Sequence, residues 1–222
     1  MDHAESEIRD HMAGAKILFI PYALLDHEGY AAKASDRLSK MGLQCESIHR
    51  HKNPKEAVQE AEAIFIGGGN TFRLLKMLYH HDLVAAIRER VDAGAKYMGS
   101  SAGTNVACPT IRTTNDMPIV TPPSLDAIGL VPFQINPHYI DPDPNSKHMG
   151  ETREERIREY HEENDLPVIG LREGTMIRVE NGAYIFKGHT TARIFRKGMS
   201  PIEIEQDTSL NSILFETTDE HR

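Results

Sequence analysis

Wholly apolar runs of strand length recur along the chain, separated by longer stretches whose apolar residues fall at helical spacing. Ile17-Leu18-Phe19-Ile20 and Ala63-Ile64-Phe65-Ile66 are continuous apolar runs, the pattern of strands covered on both faces. The spacing predicts strand 15–22, helix 27–41, strand 43–49, helix 54–62, strand 63–67, a helix over 70–93 with a break, strand 96–99 and a further helix from residue 102. This alternation is the rhythm of an α/β protein, a mostly parallel sheet flanked by helices on both faces. Residues 1–12 are polar, with Ile8 and Met12 at helical spacing, and read as an opening amphipathic helix. Past residue 130 come a strand over 132–138, a charged helix over 151–163, and strands 167–171, 175–179, 183–187 and 192–196, with Asn181-Gly182 as a hairpin turn. The tail from 201 to 222 is weakly patterned and is expected to fray.

A chain of 222 residues, 39% of them hydrophobic, buries a sizeable core and is read as a single domain over 1–222. It has no apolar run long enough to cross a bilayer and no signal-peptide pattern, so a cytoplasmic location without a membrane partner is expected. The two cysteines, Cys45 and Cys108, fit that compartment as reduced buried residues rather than a disulfide. The formal net charge of −8 argues against nucleic acid, which calls for a basic face. The same charge cannot draw in an anionic substrate by its overall field, so an acidic substrate requires a local cation.

Candidate chemistry begins at residues 99–103, Gly-Ser-Ser-Ala-Gly, where the strand over 96–99 turns into the next helix. A G-x-S-x-G turn of this kind is a nucleophile elbow: glycines let backbone and helix approach closely, the serine is exposed, and the next N–H aims at a developing oxyanion. Ser101 is the predicted nucleophile. The bland reading is an ordinary glycine-lined turn. Against it stand Asp116 and His138, which follow in the order serine, acid, histidine used by α/β-hydrolase-type enzymes. A serine hydroxyl needs an imidazole to take its proton and a carboxylate to fix the imidazole tautomer. His138 ends an apolar strand at the carboxyl edge of the sheet, where α/β proteins bind ligands.

Residues 101–118, which run from Ser101 through Asn105, Cys108 and Thr113 to Asp116 and Pro118, resemble the signature of the peptidase E (α-aspartyl dipeptidase) family. Three further stretches are similar to the same family: Ile66 to Phe72, Gln134 to His138, and Gly150 to Glu154 continuing to Arg158. The resemblance spans most of the chain and implies a class I glutamine amidotransferase-like fold. It also implies Ser101 as nucleophile, His138 as general base, and either Asp116 or Glu173 as the acid that orients the histidine. Two departures stand out. Ser100 occupies a place where the family commonly has tryptophan, and the chain opens inside the helix that in the family follows a short apolar strand. The expectation is therefore a form lacking the family's first strand, with an exposed sheet edge.

The run Gly67-Gly68-Gly69-Asn70 has neither the G-x-G-x-x-G spacing nor a following Gly-Lys-Ser/Thr of a nucleotide site. Gly68 or Gly69, with Ala102, is instead expected to supply oxyanion-hole N–H groups. In the helix from 151, Arg153, Arg156 and Arg158 lie among Glu151, Glu154, Glu155 and Glu159, and the bland reading of all three is solvent-facing ion pairs. Arg153, nearest the helix start, is assigned to a substrate carboxylate. Of the twelve histidines, His49, His51, His80 and His81 read as surface pairs rather than ligands, and no cofactor or metal is called for. The sequence thus predicts a serine exopeptidase acting on small Asp-Xaa dipeptides. A cyanophycinase-like peptidase on aspartyl polymers and an inactive binding or regulatory protein on the same scaffold remain as alternatives, and a homo-oligomer is left open.

Overall fold

In a computed structural model that describes residues 2–143, 145 and 150–215, the two apolar runs become the inner strands of a parallel sheet. β1 (Ile17–Ile20), β2 (Cys45–Ser47), β3 (Ala63–Ile66) and β4 (Lys96–Gly99) are ordered β2-β1-β3-β4. Ile17 to Ile20 lie level with Ala63 to Ile66, and those residues level with Lys96 to Gly99. Every residue of β1 and β3 is buried, because helices cover both faces, whereas β4 at the edge is only half-buried.

The helices between these strands are α2 (His27–Lys40), α3 (Pro54–Glu60), α4 (Thr71–His80) and α5 (Leu83–Asp92), with α1 (Glu5–Met12) ahead of β1 and α6 (Ala102–Ala107) after β4. α1 buries Ile8 and Met12, the two residues that marked it in the sequence. The break within 70–93 falls at His81 and Asp82, where Asp82 takes φ 55 and starts α5 in a new direction. Strand β2 is shorter than expected because Ser47 begins a 3-10 turn over Ile48–Arg50.

Two compact units are formed by the described residues: 5–135, and 136–215 with 2–4. The chain passes from one to the other inside β5 (Gln134–Pro137). Beyond it lie α7 (Arg153–Glu163), β6 (Val168–Leu171), the hairpin β7 (Thr175–Glu180) with β8 (Ala183–Gly188), β9 (Ala192–Phe195), β10 (Ile202–Ile204) and α8 (Asn211–Phe215). The second sheet is ordered β10-β9-β6-β5.

The expected fraying is not seen over 202–215. β10 pairs antiparallel with β9, setting Ile202 level with Ile194, and Ile204, Leu210 and Leu214 are buried. A three-residue strand and a five-residue helix are too short to leave a periodic signature, which is why the pattern looked weak. Residues 216–222 lie outside the described residues.

Candidate active site

Strand β4 ends at Gly99, and the chain turns through Ser100 and Ser101 into α6. The turn is tight because a Cβ on Gly103 would run into the Ile66 carbonyl oxygen of β3, and one on Gly99 into the Gly103 carbonyl. Glycine at both places lets α6 sit against the sheet. Its Ala102 and Val106 join Ile64, Ile66, Ile111 and Ile128 in the core. Between the glycines Ser101 holds φ 53 and ψ −107, outside even the left-handed helical basin. A non-glycine residue there carries roughly 1–3 kcal/mol of strain, and such strain persists where the surrounding structure enforces it. The Ser101 hydroxyl does not cap α6, while its carbonyl accepts from the Thr104 and Asn105 amides at 2.9 and 3.0 Å.

The glycine run lies against this elbow. A Cβ on Gly68 would stand 3.0 Å from the Ser101 Cβ. Gly69 has φ +133 and passes so close to the Ala23 carbonyl that a side chain does not fit. The amides here divide into engaged and open. Gly67 N–H donates to Ile20 and Asn70 N–H to Ala23, while the Tyr30 phenol, whose pKa burial raises and the Gly68 backbone lowers, lies beside the run. Among the described residues the N–H groups of Gly69 and Ala102 donate to no protein acceptor.

Asp116 lies in the same unit and is hydrogen-bonded to the start of α4. One carboxylate oxygen accepts from the Thr71 N–H at 2.7 Å and from the Thr71 hydroxyl at 2.6 Å. The Thr114 hydroxyl donates onward to Thr71 at 3.0 Å, and the Asn70 side chain reaches the Met117 carbonyl at 2.9 Å. Placed at the first turn of α4, the carboxylate meets the positive end of the helix. Buried Asn105 extends the network by donating to the Ile135 carbonyl at 3.0 Å, which Thr113 also reaches at 2.9 Å. The loop 113–117 is thereby tied to the helix that follows the glycine run.

His138 follows β5 directly and takes φ 56. Its Nδ1 is hydrogen-bonded to a Glu173 carboxylate oxygen. A carboxylate only accepts, so Nδ1 carries the proton and Nε2 is the basic nitrogen. Glu173 is 80% exposed and His138 52%, so the pair lies in the open although it is well joined. Arg153 is the first residue of α7, which begins with a Thr152–Glu155 capping box. The other two arginines are surface partners, Arg158 to Glu154 at 3.1 Å and Arg156 to Glu151 at 3.5 Å.

No three His, Cys, Asp or Glu side chains converge as a metal site among the described residues. His49 departs from a plain surface pair, since it is largely buried and bridges Ser47 and Glu28 at 2.7 and 2.9 Å. His81 stacks on Tyr22. Cys108 is buried and its thiol is pushed up to about 12, so it is no thiolate nucleophile near neutral pH. Thr71, Asn105 and Tyr30 escaped the sequence reading. The first sits at a readable helix start after Asn70, Asn105 lies in the signature stretch without a role assigned to it, and nothing in the pattern singled out Tyr30.

The chain is 50% identical over 215 residues to peptidase E of Streptomyces coelicolor, covering 96% of this chain and 88% of that protein. It is 48% identical over 200 residues to a Drosophila melanogaster protein named a probable alpha-aspartyl dipeptidase, covering 88% of this chain and 83% of the relative. The crystal structure of a peptidase from an acI-B1 Actinobacterium superposes with a TM-score of 0.65 at 21% identity, over 94% of this chain and 89% of that one, and shares the fold. No helix among the described residues is long and apolar enough to cross a membrane. The model of peptidase family S51 matches residues 1–186, and the chain belongs to that family.

Proposed function

We propose that the protein is a serine dipeptidase that removes aspartate from the amino terminus of Asp-Xaa dipeptides, acting in the cytoplasm. The observation that carries the reading is the strained Ser101 between close-packed glycines, in a family whose relatives bear the names peptidase E and alpha-aspartyl dipeptidase. Ser101 Oγ attacks the carbonyl carbon of the aspartyl residue, and its proton passes to His138 Nε2. Glu173 accepts from His138 Nδ1 and holds the reactive tautomer. The amide of Gly68 or Gly69, with that of Ala102, stabilises the oxyanion. The C–N bond breaks, His138 returns the proton to the leaving amine, and the second amino acid departs. Water then attacks the acyl-enzyme with His138 as base, releasing aspartate and restoring Ser101.

Arg153 at the start of α7 pairs with the aspartate side chain, because a desolvated carboxylate needs a charge-assisted partner and the helix start adds positive potential. The two free cysteines suit a reducing compartment. A substrate panel tests the proposal: Asp-Leu hydrolysis well above Asn-Leu, Glu-Leu and longer aspartyl peptides supports it. Preference for the longer chains shifts the substrate class to aspartyl polymers. No turnover of any member refutes the enzyme reading.

A further inference from the structure

We propose that Arg172 is a positioning residue that holds the His138–Glu173 pair in register, an inference that rests on the assignment of that pair as base and orienting acid. Arg172 immediately precedes Glu173, and Asp141 follows His138 by three residues. Arg172 binds Asp141 bidentately, Nε to Oδ2 at 2.8 Å and Nη2 to Oδ1 at 2.6 Å. On its other side Nη1 and Nη2 reach Glu203 at 2.9 and 3.0 Å, and Nη1 reaches the Thr191 hydroxyl at 2.7 Å. These bonds account for all five guanidinium donors, which leaves none for a substrate.

The guanidinium also lies 5.7 Å over the ring of Tyr139, whose N–H donates to the Leu171 carbonyl at 2.9 Å. One side chain therefore joins the segment leaving His138, the segment carrying Glu173, and β10. Arg193 on β9 supports the same cage, donating to Glu154 of α7 at 2.8 Å and to the Tyr139 hydroxyl at 3.3 Å. Arg172 is only 16% exposed, so solvent screens its bonds less than it screens an ordinary surface pair. His138 and Glu173 are themselves open to solvent. The bidentate fork of Arg172 on Asp141 ties together the two segments that carry them.

The test is a proton NMR spectrum read at the far-downfield imidazole resonance that His138→Gln removes, with kcat and KM on Asp-Leu measured beside it. Arg172→Met and Asp141→Asn are expected to weaken or shift that resonance and to lower kcat about 10- to 100-fold, with KM changed far less, because a small misplacement of a catalytic pair costs on that order. Adding Arg172→Met to Glu173→Gln should cost little more than Glu173→Gln alone, whereas a merely structural role would multiply the two losses. Asp141→Asn, isosteric and at a half-exposed site, decides the matter if Arg172→Met does not fold. A parental resonance retained unchanged in the folded variants overturns the proposal, as does its absence from the parent. A resonance that responds as expected in a protein unable to cleave Asp-Leu upholds the role of Arg172 and refutes the substrate reading instead.

Discussion

Ser101 is fixed by backbone, with φ 53 enforced by glycines on three sides and a buried helix behind it, while His138 and Glu173 stand in solvent and are held by hydrogen bonds and ion pairs. The first arrangement is steric and barely responds to salt. The second is electrostatic and geometric, and its rigidity is borrowed from charged neighbours. A nucleophile has to present one atom at one angle, which strain and close packing achieve well. A base that accepts and returns a proton benefits from an exposed ring whose tautomer is set by a single partner.

The comparison breaks most sharply at the serine. Ser101→Ala is expected to lower kcat on the order of 10⁴-fold or more, whereas Ser100→Ala retains most turnover, as steady-state kinetics on Asp-Leu would register. Equal losses would mean that the elbow is misassigned. Next in size is Arg153→Met. Loss of the partner of a desolvated substrate carboxylate costs roughly 2–5 kcal/mol, about 30-fold to several thousand-fold in kcat/KM, with Asn-Leu affected much less and thermal stability little changed. Parity with the parent on Asp-Leu would return Arg153 to the solvated helix surface. A smaller and different effect is expected at the steric end, where Gly68→Ala places a methyl 3.0 Å from the Ser101 Cβ. Activity should fall while the melting temperature drops by only a few degrees, on the order of 1 kcal/mol, as differential scanning calorimetry would show.

What could be read from the sequence follows the same division. Strands β1 and β3, the amphipathic α1 and the elbow were legible because buried apolar runs, helical spacing and glycine punctuation are local signals. The break at Asp82 was placed only approximately, since a left-handed aspartate carries no periodic mark. Gly68 or Gly69, with Ala102, could be named from the glycine punctuation, but that the Tyr30 ring packs against Gly67 depends on a contact between segments far apart in the chain. The same holds for Asp116 and Glu173. Both were candidates for one role, and nothing local distinguishes them. The binding of Asp116 by Thr71, and of Glu173 by His138, comes from tertiary placement. The Arg172 cage was invisible because its members are dispersed along the chain from Tyr139 to Glu203 and meet only in the folded protein.

That division reduces to one comparison of two carboxylates. Purified Glu173→Gln and Asp116→Asn, each checked for folding by circular dichroism, are to be assayed for kcat/KM on Asp-Leu. If Glu173 orients His138 and Asp116 braces the start of α4, Glu173→Gln loses on the order of 10²- to 10⁴-fold at parental stability. Asp116→Asn then loses less activity and more stability, about 1 kcal/mol, because the amide oxygen still accepts from Thr71 but no longer places a negative charge at the start of α4. A larger catalytic loss in Asp116→Asn, at unchanged stability, would contradict the assignment of His138 to Glu173.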